Sequence, residues 1–449
     1  MKLCNVFTVN KETISKESSS MKNIALFLPV FLLSLLYSYG AHGASNEYVV
    51  LFKDFDQQIS KTASKANREI ALKNQNLAKI SQLRTWLSRY SKSQSKILDL
   101  WLIAGVVLDL NDQEAKDLEG ESWILQVRKN QRRVWIEPKD FKETPQDQPW
   151  GLNFIGLNQV REQHPELTGD GIKVGILDTG IQSGHPEFGA SKGIHFKDFV
   201  NEIGYPYDDH GHGTHVAGTI AGQTVGIAPQ VEIFAGKIFT AQGSGFDSMI
   251  IKGMQWMFDP DNDPNTNDGP TIVSNSWGLG VPQGIYTFED FLVYHRAVQT
   301  WVQGGLFPIF AAGNSGEAPN GIPGGFPESI AIGAVDPAGD IAWFSSKGPN
   351  FWFQSEHILS LFKPDFSAPG VNTLSAIPNN TYGSMSGTSM ATPHMAGSLA
   401  LALQVSPDLS LAQAKLLLLN SSTPRHDLNF GHGILNLAAM ISQLQGSTE

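Results

Sequence analysis

Ile172-Lys173-Val174-Gly175-Ile176-Leu177-Asp178-Thr179-Gly180-Ile181 is an apolar strand pattern that ends on an acidic residue and a glycine turn. Further strand patterns follow at Ile194–Phe196, Val231–Ile238, Ile272–Ser274 and Leu306–Ala312. Helical patterns alternate with them at Gly213–Ala221, Ser248–Met257, Phe288–Gln303 and Thr392–Leu403. This alternation predicts an α/β sandwich around a mainly parallel sheet. Sites in such sheets form at the carboxyl ends of strands, where Asp178 stands. Alone, Asp178 reads better as a turn-capping aspartate.

Three other segments carry chemistry. Asp208-Asp209-His210-Gly211-His212-Gly213-Thr214-His215 holds three histidines, but neither His-Glu-x-x-His nor Cys/His finger spacing. A histidine between glycines that opens a small-residue helix is suited to moving a proton beside a nucleophile. Ile309-Phe310-Ala311-Ala312-Gly313-Asn314-Ser315-Gly316 runs a buried strand into an asparagine able to donate to an oxyanion, or into an ordinary turn. Gly387-Thr388-Ser389-Met390-Ala391-Thr392-Pro393-His394 sets a serine at the start of a helix, where free N–H groups and the helix dipole favour negative charge. A Gly-Thr-Ser triplet by itself is common cap chemistry.

In the order Asp178, His212, Asn314, Ser389 these segments resemble the subtilisin-like serine proteases. Asp-His-Ser is the subtilisin order, and no Gly-x-Ser-x-Gly elbow of an α/β-hydrolase occurs in the chain. The resemblance implies a three-layer α/β fold and a triad: Ser389 as nucleophile, His212 as base and then acid, Asp178 orienting the imidazole. It implies Asn314 in the oxyanion hole, and no cofactor for the chemistry. Gln242-Gly243-Ser244-Gly245 and Asn275-Ser276-Trp277-Gly278 match the two edges between which a substrate backbone lies, with Gly313 near the reacting carbonyl. Small residues at Gly278, Gly313 and Gly321 suggest an open slot for a large apolar side chain before the scissile bond; Glu317 is the alternative determinant, favouring a basic one. The stretch Gly218–Pro229 is too short for the loop that holds the tight calcium site in secreted subtilisins. An acidic insertion, Asp259–Gly269, offers Asp259, Asp261, Asp263 and Asp268 as calcium ligands or as a solvated loop; Pro264 and Pro270 break an EF-hand pattern. The insertion, the Asn275–Gly278 edge and Phe344–Pro349 resemble the bacillopeptidase F branch.

The 449 residues are 41% hydrophobic and 17% charged, enough for more than one domain. The single cysteine, Cys4, cannot form an internal disulfide. Lys22 followed by the apolar run Ile24–Leu36, with small residues at Ala41 and Gly43, reads as a signal peptide over 1–43, with Met21 as a candidate true start. Pro29 and the shortness of the run disfavour the alternative, a retained anchor. The expected product is exported, to a periplasm or the medium.

Residues 44–146 have another character. Strand patterns at Glu47–Phe52, Ile103–Leu110, Ile124–Arg128 and Val134–Ile136 alternate with a long polar helix near 60–95 and a helix from Asn111 to Leu118. This small α+β layout is similar to the propeptide of subtilisin-like enzymes, an intramolecular chaperone and inhibitor; a permanent accessory domain is the alternative. The segment carries 17 Lys and Arg against 14 Asp and Glu, while 147–449 carries 11 against 27. Opposite net charges steer the two together, and the acidic catalytic domain disfavours nucleic acid as a partner. The whole predicts a monomeric, self-processing serine endopeptidase acting on proteins and peptides. A catalytically silent binding protein and a lipase or esterase are the rival readings.

Overall fold

The computed structural model describes residues 46–53, 63–90, 96–136, 142–143, 149–189, 193–280, 285–286, 291–354 and 357–446. The expected leader, 1–43, and the expected domain boundary at 146/147 lie outside them.

β1 (Glu47–Phe52), α1 (Lys65–Tyr90), β2 (Leu98–Leu100), β3 (Gly105–Asp109), α2 (Asp112–Glu119) and β4 (Ile124–Lys129) form a small α+β domain. Its antiparallel sheet runs β2-β3-β1-β4. Asn111 starts α2 with a capping box that Glu114 completes. β1 is apolar from Tyr48 onward because both faces are covered there. Tyr48, Val50 and Phe52 pack under Leu83, Trp86 and Leu118, whereas Val49 and Leu51 face the following domain.

Two expectations for this domain need correction. The strand placed at Ile103–Leu110 starts two residues later. Trp101–Ile103 form a 3₁₀ turn instead, since the Leu102 N–H and carbonyl are claimed by Gln255 and Thr300 of the next domain. The strand placed at Val134–Ile136 leaves the domain altogether: β5 (Arg132–Val134) pairs with an edge strand of the larger domain.

That larger domain contains β6 (Lys173–Asp178), β7 (Ile194–Asp198), α3 (His212–Ala221), β8 (Glu232–Lys237), β9 (Ser244–Phe246) and α4 (Asp247–Phe258). β10 (Ile272–Asn275), α5 (Leu292–Gln303), β11 (Phe307–Ala311), β12 (Ile330–Val335), β13 (Phe366–Pro369) and α6 (Thr388–Val405) follow. β14 (Thr423–Asp427) and β15 (Gly431–Ile434) complete the sheet, ordered β14-β15-β13-β12-β11-β10-β6-β8-β7. Only the β14–β15 pair is antiparallel. The period of two sorts the side chains into two cores. Val174, Ile176, Ile233 and Ile309 pack against α3 and α6; Leu177, Phe234, Val273 and Phe310 pack against α4 and α5. Three layers result, as expected.

α4 and α5 are apolar on their outer side as well, and there the N-terminal sheet docks. Val49, Leu51, Leu100 and Leu102 join the same cluster as Ile250, Met254 and Val298. Buried Arg296 donates to the Phe52 and Ile103 carbonyls, and Thr300 Oγ1 to that of Leu102. No helix among the described residues is long and apolar enough to cross a membrane.

Candidate active site

The end of β6 and the start of α3 nearly touch. Gly180 has φ 121°, and a Cβ there would lie 2.0 Å from the Tyr207 carbonyl oxygen; one on Gly213 would lie 2.2 Å from that of Gly180. Only glycine permits this approach. It brings the buried Asp178 carboxylate to the imidazole of His212, with Oδ1 2.8 Å from Nδ1. Asp178 Oδ1 also accepts the Thr179 N–H at 2.7 Å.

Asp208, absent from the candidates drawn from the sequence, ties these ends together. Its carboxylate accepts the N–H groups of His210, Gly211 and Thr214 and the hydroxyls of Thr179 and Thr214. Burial alone would raise its pKa, but these bonds hold it below the usual carboxylate range. Its signal in the sequence was an Asp three residues before the glycine that begins α3, an Asx-type cap.

α6 begins at Thr388, so the helix expected from Thr392 starts a turn earlier and contains Pro393. Proline lacks the N–H that would bond the Ser389 carbonyl four residues back. That carbonyl accepts the Ser276 hydroxyl at 2.8 Å instead, and Ser389 Oγ donates to the Ser276 carbonyl at 2.9 Å. Asn314, at the end of β11, has its amide oriented by Thr388. Its Oδ1 accepts the Thr388 N–H at 2.9 Å and hydroxyl at 3.0 Å, which leaves the Nδ2 amide to face the cavity. His212, Trp277, Gly278, Gly313, Asn314 and Ser389 line this one cavity, together with Trp135 and Ile136 of the N-terminal segment. Two neighbouring histidines lie buried against main-chain carbonyls: burial pushes His215 down to about 3 and His394 down to about 4. Burial and the adjacent His212 also lower His210.

Gly243, Ser244 and Gly245 are paired with the N-terminal segment. Ser244 is opposite Val134 and Gly245 opposite Arg133; the Trp135 and Ile136 N–H groups both donate to the Gly243 carbonyl, at 2.9 and 3.1 Å. Trp135 is buried among Phe239, Trp277 and Tyr294, with ring centroids 5.1–6.4 Å away. Among the described residues, no ladder joins this segment to the Ser276–Gly278 edge. Glu317 does not line the cavity; its carboxylate pairs with Lys347 near the surface.

Of the four calcium candidates, Asp259, Asp261 and Asp268 come together, their oxygens within 4.8 Å of one another. Asp263 does not join them, because its carboxylate caps Asn265 through both N–H and Nδ2. Asp259 is already bonded by Lys73 of α1 at 2.6 Å.

The profile described as the subtilase family matches residues 169–433. The chain belongs to the subtilase family. Subtilisin DY of Bacillus licheniformis is 35% identical over 301 residues, covering 65% of this chain and 97% of that protein. Subtilisin Savinase of Lederbergia lenta is 36% identical over 300 residues, covering 66% and 98%. Subtilisin E of Bacillus subtilis (strain 168) is 33% identical over 331 residues, covering 71% and 78%. The expected fold class and the serine-type endopeptidase class are those of this subtilase.

Proposed function

We propose that this subtilase hydrolyses peptide bonds through Ser389, His212 and Asp178, with Asn314 and the Ser389 N–H as oxyanion donors. The observation that carries the reading is the 2.8 Å bond between His212 Nδ1 and Asp178, at the wall of the cavity that Ser389 and Asn314 share. Asp178 fixes the tautomer, so that Nε2 of His212 is free to accept a proton. The Ser389 hydroxyl leaves the Ser276 carbonyl, gives its proton to His212 and attacks the scissile carbonyl. Asn314 Nδ2 donates to the developing oxyanion. Collapse expels the amine, which takes the proton from His212, and water hydrolyses the acyl-enzyme by the same route. The chain's own side chains supply every proton transfer, so the chemistry calls on no cofactor.

Residues 44–146 act in this reading as propeptide: chaperone, and inhibitor through the segment laid along Gly243–Gly245 into the cavity. Residues 1–43 direct export, and the enzyme works as a monomer on protein substrates. A serine-directed phosphonylating reagent tests the chemistry. Active enzyme should take up one equivalent and stop cleaving casein, and Ser389→Ala should take up none. Labelling of Ser389→Ala, or casein cleavage by fully labelled enzyme, contradicts the assignment.

A further inference from the structure

The segment in the groove continues upstream of Trp135 into a second pocket with a different character. Asp247, the first residue of α4, is fully buried. Its carboxylate accepts the Tyr294 hydroxyl at 2.7 Å, Arg128 Nη2 at 2.6 Å and Arg133 Nε at 3.5 Å. The Arg133 guanidinium carbon also lies 5.8 Å from the centroid of the Phe291 ring. Asp247, Phe291 and Tyr294 all belong to the larger domain; Arg128 belongs to the N-terminal domain and Arg133 to the segment that leads from it into the cavity. The catalytic domain therefore offers a carboxylate, a phenol and an aromatic face, which is the set of partners a planar guanidinium takes best.

Resting on the reading that residues 132–136 lie where a substrate lies, we propose that Asp247, with Phe291 and Tyr294, forms a subsite for an arginine two positions upstream of the aromatic residue that fills the Trp135 pocket. The contacts of the two side chains support it. Arg133 reaches Asp247, which accepts the Tyr294 hydroxyl, and the Trp135 ring packs 5.1 Å from the Tyr294 ring, so both side chains turn to the same part of the larger domain. Asp247 follows β9 directly, and its N–H donates to the Gln131 carbonyl at 3.0 Å, holding the carboxylate beside the peptide's path. Once the N-terminal domain is removed, Tyr294 remains as a donor from the catalytic domain. Burial and the neighbouring Asp247 keep that phenol protonated, well above its ordinary pKa. A desolvated carboxylate with one phenol donor favours a cationic substrate side chain and repels an acidic one. Arginine exceeds lysine there, because only the planar fork can pair with the carboxylate and stack on Phe291.

The test uses active enzyme from the full expressed chain and internally quenched peptides. The peptides carry a fixed Trp and differ only two positions before it: Arg, Lys, Gln or Glu. Casein hydrolysis is followed in parallel. Arg should exceed Gln by at least about 10-fold in kcat/KM, chiefly through KM, with Glu the poorest and the Arg advantage shrinking in high salt. Asp247→Asn should bring the Arg-to-Gln ratio to near one. Because that variant can fail to fold around a buried residue, the wild-type series and its salt dependence decide on their own. Equal cleavage of Arg and Gln peptides, with casein still cleaved, overturns the subsite alone and leaves Asp247 as an anchor for the N-terminal domain. Loss of casein cleavage as well overturns the protease reading beneath it.

Discussion

Asn314, the proposed oxyanion donor, is the residue whose role is most sharply exposed to test. Asn314→Ala removes the Nδ2 donor and should lower kcat by roughly 10²–10³, a range that comes from a subtilisin, with KM little changed. Steady-state kinetics on one peptide substrate checks this, and a loss confined to KM contradicts it. Asn314 also accepts two bonds from Thr388, so the melting temperature should be read beside the kinetics. At this scale the sequence was legible where a residue type carries chemistry: His212, Asn314 and Ser389 line one cavity, and Asp178 bonds His212 from behind it. Asp208 and Asp247 were not legible. Their importance comes from what folds onto them, five donors in one case and two arginines and a phenol in the other, and no local spacing announces that.

Among the elements, the edge at β9 is paired to the N-terminal segment, and in the proposed reading it holds substrate in the same way. Gly243 has φ 68°, and a Cβ there would lie 2.2 Å from the Ile136 carbonyl oxygen. Gly243→Ala should raise KM for extended peptides by about 10-fold and weaken inhibition by the N-terminal domain, since a left-handed alanine costs roughly 1–2 kcal/mol before any clash. Inhibition constants for the N-terminal domain added to active enzyme measure it; an unchanged constant contradicts the account of the edge. Strands buried on both faces, such as β1 and β6, were readable as apolar runs. β5 was readable as a strand but not as one belonging to another sheet, because pairing partners are set by tertiary contact rather than by pattern. The early start of α6 was hidden by Pro393, which normally marks a helix's first turn but here frees the Ser389 carbonyl for Ser276.

For the whole molecule, the hold of one domain on the other should depend on pH. Glu69 and Lys73 of α1 meet Asp259, each carboxylate 2.6 Å from the Lys73 ammonium. Burial, and then the hydrogen bond and charge of Asp259, push Glu69 up to about 8. Asp259 is held low in spite of burial by its bonds to Glu69 and Lys73. A carboxyl raised by docking contributes stability that is present below its ordinary value and lost as pH rises through the docked one. The N-terminal domain should therefore bind Ser389→Ala enzyme progressively less tightly from about pH 4.5 to about pH 8, and Glu69→Gln should flatten that decline. Calorimetric titration across the range checks it, and a Glu69→Gln curve as steep as wild type contradicts it. Global stability has the opposite sign at low pH. His215 and His394 are neutral when folded and protonate on unfolding, so stability is full above their ordinary value of 6.5 and falls below it. The melting temperature of Ser389→Ala should drop steadily between about pH 6.5 and about pH 4.5. A flat profile contradicts the burial of both rings. The layered architecture was legible at this scale. The docking of the N-terminal sheet on α4 and α5 was not, since an apolar outer helix face looks the same in sequence whether it meets a core or a second domain.

The most direct test of the central claim is to express the chain and its Ser389→Ala variant and follow size and casein cleavage over time. Wild type should lose about 10 kDa, the mass of a 100-residue segment, and gain activity, while the variant stays full length and inert. Wild type that remains full length and inactive, or a variant that cleaves casein as wild type does, contradicts the account.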